Sequence, residues 1–205
     1  MKDWTGNSRS YASTLGARNF ALEEREEHDY YATDPNSLKI FLVRLEEDNI
    51  KLNHYIWECA CGEGHLSRVL EEAGYNVYST DLVNRNYGIS GIDFLNQTKI
   101  WSGDILTNPP YKYAKEFVEK SMELLKDGNK LVMFLKLQFL EGQKRKKMFE
   151  KFPPKYIYVF SIRQRCAMNG NFSKYTNNGE THGAVAYCWY IWEKGFTGEP
   201  VIRWI

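Results

Sequence analysis

The stretch Tyr55-Ile56-Trp57-Glu58-Cys59-Ala60-Cys61-Gly62-Glu63-Gly64-His65-Leu66 passes from a short apolar run, through two closely spaced glycines, into an amphipathic segment. Tyr55 to Ala60 has the length and composition of a buried strand, and Gly64 to Ala73 the spacing of a helix. Gly62 and Gly64 let the backbone turn tightly between them and approach a ligand without a side-chain clash. Outward from this unit the alternation repeats. Upstream, Leu38, Phe41, Leu42 and Leu45 predict a helix over Ser37 to Asp48, opened by Pro35. Downstream come strand Val77 to Thr80, a weaker strand over Ile89 to Phe94, strand Asp104 to Thr107 and helix Tyr113 to Lys126. Strand Lys130 to Leu135, helix Gln143 to Phe149, strand Tyr156 to Phe160 and strand Ala184 to Trp192 complete the series. Strands that alternate with helices predict an α/β fold with a doubly wound, mostly parallel sheet. A loop, Cys166 to Gly183, stands where a last helix is due, so the strand after it is expected to enter antiparallel.

With 205 residues the chain suits a single α/β domain, expected over residues 21–205 behind a flexible arm at 1–20 that lacks periodicity. No separate target-recognition domain is expected. Apolar content is 43% and charged content 26%, and no uninterrupted apolar run approaches the roughly 20 residues of a membrane span. Met1 to Asn19 has no secretory pattern, and four cysteines in a chain this long do not make a disulfide framework. The expected setting is the cytoplasm. A net charge of +1 excludes a globally basic binder, yet Lys144, Arg145, Lys146, Lys147 and Lys151 gather in one segment, with Arg163 and Arg165 beyond it. Alone, the lysine run reads as a solvated helix face; beside a catalytic site it becomes a phosphate-contacting rim.

In a doubly wound sheet, ligands bind outside the carboxyl ends of the strands. The dinucleotide fingerprint places a third glycine where this chain has Ser67, which weakens a nicotinamide reading. Asp81-Leu82 follows the second strand about 20 residues beyond the glycines, where a carboxylate accepts from both hydroxyls of a ribose. Asp93 precedes Phe94: a carboxylate accepts from the amino group of an adenine ring while an aromatic covers its face. Singly, each acid reads as an ordinary loop residue; three at successive strand ends, Glu58, Asp81 and Asp93, point to an adenosine-containing ligand.

The fourth strand delivers Asp104-Ile105-Leu106-Thr107-Asn108-Pro109-Pro110-Tyr111. Two prolines remove two backbone donors and fix two φ angles, which leaves a rigid cluster of acceptors at a strand terminus. An exocyclic amine conjugated to a heterocycle is a poor nucleophile. The Asn108 side-chain oxygen and the Pro109 carbonyl would hold both its hydrogens and favour pyramidal nitrogen as positive charge develops. Tyr111 offers a ring on which a base can stack, for about 1 to 3 kcal/mol.

These residues resemble the amino-methyltransferases of DNA that carry Asn-Pro-Pro-Tyr, in particular the small adenine N6 enzymes of phages and prophages. The resemblance spans about Asp29 to Trp192. It implies a class I, Rossmann-like fold, S-adenosylmethionine as cofactor and DNA as partner, with RNA possible. Carried over by position, Glu58, Ala60, Cys61, Gly62 and Gly64 match the glycine-containing cofactor motif, Asp81 the ribose-binding acid, and Asp93-Phe94 the pair that holds the cofactor adenine. Tyr31, Thr33 and Pro35 match the segment that closes over the methionine moiety. The family motif often has a proline where this chain has Cys59. Strictly specific members carry a target-recognition domain, so its expected absence implies low or short specificity. Members that act on duplex DNA swing the base out; Phe172, in the loop Asn169 to Asn178, is the candidate second aromatic, with simple packing as its plain alternative.

Cys59-x-Cys61 lacks a second cysteine or histidine pair at ligand spacing, so no metal is expected. His65 and His182 read as site-lining or surface residues, and the stripe Tyr187, Trp189, Tyr190, Trp192 as core. The acceptor geometry also suits an RNA base amine or a protein glutamine amide. An inactive nucleic-acid- or cofactor-binding module is the alternative of another class, and an intact tetrapeptide with three acids argues against it.

Overall fold

The computed structural model describes residues 31–162, 164, 166–168 and 185–205. The expected arm at 1–20, and Arg163, Arg165, Phe172 and His182, lie outside the described residues.

A seven-stranded sheet organises the chain. Its strands are β2 (Tyr55–Glu58), β3 (Asn76–Ser79), β4 (Asp104–Thr107), β5 (Lys130–Lys136), β6 (Tyr156–Val159), β8 (Tyr187–Glu193) and β9 (Val201–Trp204), in the order β3-β2-β4-β5-β8-β6-β9. β3, β2, β4 and β5 run parallel. β8 is antiparallel to both β5 and β6, as the missing helix predicted, and one further strand, β9, follows it and lies parallel to β6 at the sheet edge. A two-stranded ribbon pairs β1 (Tyr31–Thr33) with β7 (Cys166–Met168). The helices are α1 (Pro35–Glu47), α2 (His65–Glu72), α3 (Ala114–Leu124) and α4 (Gln143–Lys151).

The alternation of side chains along the strands builds a core on each face of the sheet. Leu131, Met133 and Leu135 of β5, with Cys188, Tyr190 and Trp192 of β8, meet Phe117, Val118 and Met122 of α3. Val132 and Phe134, with Trp189 and Ile191, face Leu38, Phe41 and Leu45 of α1 and Leu66, Val69 and Leu70 of α2. The aromatic stripe is therefore core on both sides: Trp189 stacks on Phe41 at 4.9 Å and Tyr190 on Trp192 at 5.4 Å.

The strand expected over Ile89 to Phe94 does not form. One bridge joins Ile89 to Thr80, and left-handed Gly88 and Gly91 (φ 64° and 78°) turn the chain out of the sheet. Asp93 then caps a single 3-10 turn, Phe94–Asn96, accepting from the Leu95 N–H at 2.9 Å. Asp34 caps α1 in the same way through Asn36, with Pro35 at the first helical position. This topology sets the carboxyl ends of β3, β2, β4 and β5 side by side along one edge of the sheet.

Candidate active site

β2 ends on Glu58, and the chain turns back through Cys61 to Gly64. The Cys61 N–H donates to the Thr80 carbonyl at 3.0 Å, and the Gly64 N–H to the Cys61 carbonyl at 2.8 Å. Gly62 and Gly64 hold φ 54° and 78°, in the region that L side chains rarely adopt. At Gly64 the need is doubled, because a Cβ there would come within 2.4 Å of the Tyr87 ring. Tyr87 is a site residue that the sequence gives no reason to single out. Its ring carries the Arg68 guanidinium at 4.7 Å, and its hydroxyl donates to Glu71 at 3.3 Å, which clamps the loop after β3 onto α2.

Glu58 is 2% exposed. It accepts from the Ser67 hydroxyl, which lies 2.6 Å from the Ser79 hydroxyl. Ser67 occupies the position of the missing third glycine, and its hydroxyl links α2 to the ends of β2 and β3. Burial pushes the Glu58 carboxyl up to about 8; the Ser67 bond opposes the rise, and the Asp81 and Glu71 carboxylates add to it. Burial also raises the Cys61 thiol to about 12, so at neutral pH it is an unreactive thiol. Among the described residues, no three His, Cys, Asp or Glu side chains converge as metal ligands.

Asp81, just past β3, takes the Gly62 N–H on Oδ2 and the Val83 N–H on Oδ1, both at 2.8 Å. It therefore shapes the glycine turn, and each carboxylate oxygen keeps a second lone pair for a ligand hydroxyl. Leu82 beside it is exposed. Asp93 holds Leu95 N–H and the Asn96 amide. Phe94 is buried to 2%, edge-on to Trp57 at 5.2 Å and against Phe117 at 4.9 Å, so its ring supports the site from within the core.

β4 is buried along its whole length and releases the tetrapeptide at its carboxyl end. Pro109 is buried, while Asn108, Pro110 and Tyr111 are half-buried. The Pro110 carbonyl accepts from the Tyr113 N–H at 2.8 Å, closing a 3-10 turn over Tyr111–Tyr113 that leads into α3. The register Trp57↔Ile105 sets Glu58 beside Leu106, so the glycine turn and Asn108 leave adjacent strands at the same edge. The Tyr111 ring lies 6.2 Å from Tyr187, which stacks on Phe134, and has the Lys136 ammonium 5.1 Å from its centre. Tyr187 and Lys136 are register partners on β8 and β5.

Upstream, Thr33 is buried in β1, which packs against α2, and Pro35 opens α1; Tyr31 heads the same strand. The structure thus gathers Glu58, the glycine turn, Asp81 and Asn108 at one end of the sheet, with Thr33 on the ribbon that packs against α2. Of the expected basic rim, Lys144 is exposed on α4. Arg145 instead directs its guanidinium to the carbonyls of Phe139 (2.8 Å) and Glu141 and lies over the Phe139 ring at 5.1 Å, stapling the turn after β5.

No protein-family model matches the chain, and no curated protein does. Solved structures do match. A candidate class I S-adenosylmethionine-dependent methyltransferase from Listeria monocytogenes aligns with a TM-score of 0.55 at 14% identity, over 93% of this chain and 69% of that one. A candidate RNA methyltransferase from Pyrococcus horikoshii gives 0.56 at 12% identity, over 92% and 98%. The modification subunit of a candidate type I restriction enzyme from Vibrio vulnificus gives 0.52 at 17% identity, over 96% of this chain and 51% of that one. The fold is that of the class I S-adenosylmethionine-dependent methyltransferases. Among the described residues, no helix is long and apolar enough to cross a membrane.

Proposed function

We infer that the chain is an S-adenosylmethionine-dependent methyltransferase acting on the N6 amine of adenine in DNA, with low or short sequence specificity. The observation that carries this reading is the emergence of Asn108-Pro109-Pro110-Tyr111 from β4, beside the glycine turn of β2. The residues at that turn suit the cofactor. The Asp81 and Glu71 carboxylates lie close enough to Glu58 for their charge to raise its proton affinity, and the negative field they set up there favours a ligand that is cationic at both sulfonium and ammonium. The glycine turn and Thr33 would face the methionine end, Asp81 the ribose, and Asp93 with its Phe94-backed turn the adenine.

When bound, the cofactor supplies an electrophilic methyl group. The chain's own contribution is to hold the nucleophile. Asn108 Oδ1 and the Pro109 carbonyl accept the two amine hydrogens, and the prolines fix both acceptors so that no reorganisation accompanies charge development. Tyr111 stacks on the base, and in-line placement does the rest. The Asn-Pro-Pro-Tyr resemblance favours adenine in DNA, and a DNA-modification subunit stands among the structural neighbours. The RNA-methyltransferase neighbour supports RNA as the second reading.

Incubation with methyl-labelled cofactor and separate DNA, RNA and protein pools tests the assignment. Label recovered as N6-methyladenine from DNA is the expected result. Label confined to RNA or protein, or none in any pool, overturns it.

A further inference from the structure

Lys136 ends β5, the strand next to the one that carries the tetrapeptide, and the sequence gives no reason to select it. Its backbone is fixed: the carbonyl accepts from the Tyr190 hydroxyl at 3.3 Å, and the next N–H donates to Ala186 at 2.8 Å. Its side chain is half-buried and turned to Tyr111, with the ammonium 5.1 Å from the ring centre. The other half-buried lysines are matched. Lys115 pairs with Glu119, Lys120 with Glu123, and Lys130 and Lys155 share Glu193, while Lys194 donates to the Met122 carbonyl. Among the described residues, no carboxylate lies within ion-pair distance of Lys136, and the contact that stabilises its charge is the Tyr111 ring.

A cation over an aromatic face at a partly exposed site is held weakly. A planar base stacked on that face gains more. The two cannot occupy one ring face together, so a base arriving on the Lys136 side of Tyr111 displaces the ammonium. Four methylenes let the displaced group swing while the strand stays still, and a half-buried ammonium without a carboxylate is satisfied best by an anion. The anion that a polynucleotide brings to that spot is its own phosphodiester.

Resting on the reading of the substrate as nucleic acid, we propose that Lys136 is the phosphate contact of the target nucleotide. Its ammonium covers Tyr111 in the substrate-free protein and passes to the phosphodiester when the base takes its place on the ring. Lys136 is a binding and positioning residue; it exchanges no proton with the reacting amine.

The test is the salt dependence of binding of a single-stranded oligodeoxynucleotide of mixed sequence, for wild type, Lys136→Met and Lys136→Arg, with methyl transfer measured alongside. One phosphate contact on a single strand contributes about 0.7 to the slope of log affinity against log salt. Lys136→Met should therefore lose about threefold less affinity than wild type over a fourfold rise in salt, with KM raised more than kcat is lowered. Lys136→Arg should keep the wild-type slope. A Lys136→Met slope equal to wild type, with kcat reduced, overturns the inference and leaves Lys136 as a support for Tyr111. If the wild type methylates no polynucleotide, the functional reading falls and this inference with it. Transfer with an unchanged slope sinks the inference alone.

Discussion

Glu58→Gln should flatten the pH dependence of stability between mildly acidic and mildly alkaline conditions. Glu58 is 2% exposed, and burial, with Asp81 and Glu71 nearby, raises its carboxyl from 4.5 to about 8. In the unfolded chain the same group titrates near the ordinary glutamate value. Between these values the folded protein keeps a proton that the unfolded chain has released. The stabilisation tied to that proton is complete below the lower value, shrinks as pH rises, and is gone above the upper one. The slope is about 1.4 kcal/mol per pH unit, so the whole window is worth at most about 5 kcal/mol. From about pH 6 to about pH 7.5 the wild type should lose about 2 kcal/mol more than Glu58→Gln. At a urea slope of about 2 kcal/mol/M this is a midpoint difference of about 1 M. Glutamine matches glutamate in shape and still accepts from Ser67, so packing is conserved and ionisation is removed. Urea melts of both proteins at several pH values give the answer. Midpoints that fall in parallel would refute the reasoning, since a carboxylate ionised throughout cannot create the difference.

Other perturbations separate the roles of the site. Asn108→Ala should lower methyl transfer about a hundredfold or more while sparing cofactor affinity, because it removes the acceptor proposed for the amine; steady-state kinetics beside calorimetry checks this, and an active mutant refutes the role. Asp81→Ala should weaken cofactor binding, as it removes both the proposed ribose acceptor and the anchor of the Gly62 N–H; unchanged calorimetric affinity would count against it. Gly64→Ala should destabilise by about 1–2 kcal/mol from left-handed strain alone, a fall of about 5 °C in melting temperature. Combining it with Tyr87→Ala should relieve the ring contact but not the strain, so a full return of the melting temperature would show that φ 78° is not the cause.

The parts of the fold that were legible in the sequence are those written as periodicity. β5 and β8 alternate into both cores, and their apolar residues announce them. The antiparallel entry of β8 followed from the absence of a helix before it. Illegible were elements specified by partners distant in sequence: β1 exists by pairing with β7, and β9 by pairing with β6, and neither has a pattern of its own. Ile89 to Phe94 misled because apolar content outweighed two glycines that turn the chain away. At the site, the positions of Asn108 to Tyr111 and of the glycine turn at strand ends were readable because each is a local pattern. Ser67, Tyr87 and Lys136 were not, because each acts through space, Ser67 on Glu58, Tyr87 on Gly64 and Lys136 on Tyr111. Composition grouped Arg145 with the basic rim; geometry gives it the carbonyls of its own turn.

The order of strands also orders the charges. Along the edge β3-β2-β4-β5 lie Asp81 after β3, Glu58 at the end of β2, the uncharged Asn108-Pro109-Pro110 after β4, and Lys136 at the end of β5. On the proposed function, a cationic cofactor and a polyanionic substrate meet at one atom without either occupying the other's place. The Asp81 carboxylate after β3 attracts the first and repels the second, while Glu58 at β2, raised to about 8 by burial, keeps its proton at neutral pH and adds no charge; an ammonium at β5 does the reverse, and its effect is local because charges separated by more than about 10 Å are screened at ordinary salt. Between them the acceptors of the tetrapeptide carry no net charge, which suits a neutral amine that becomes cationic only as it reacts. The parallel topology makes this segregation possible, since it delivers four consecutive strand ends to one edge, each with its own side chain. Reversing the charge at β5 should therefore harm substrate binding far more than cofactor binding, and neutralising Asp81 the opposite.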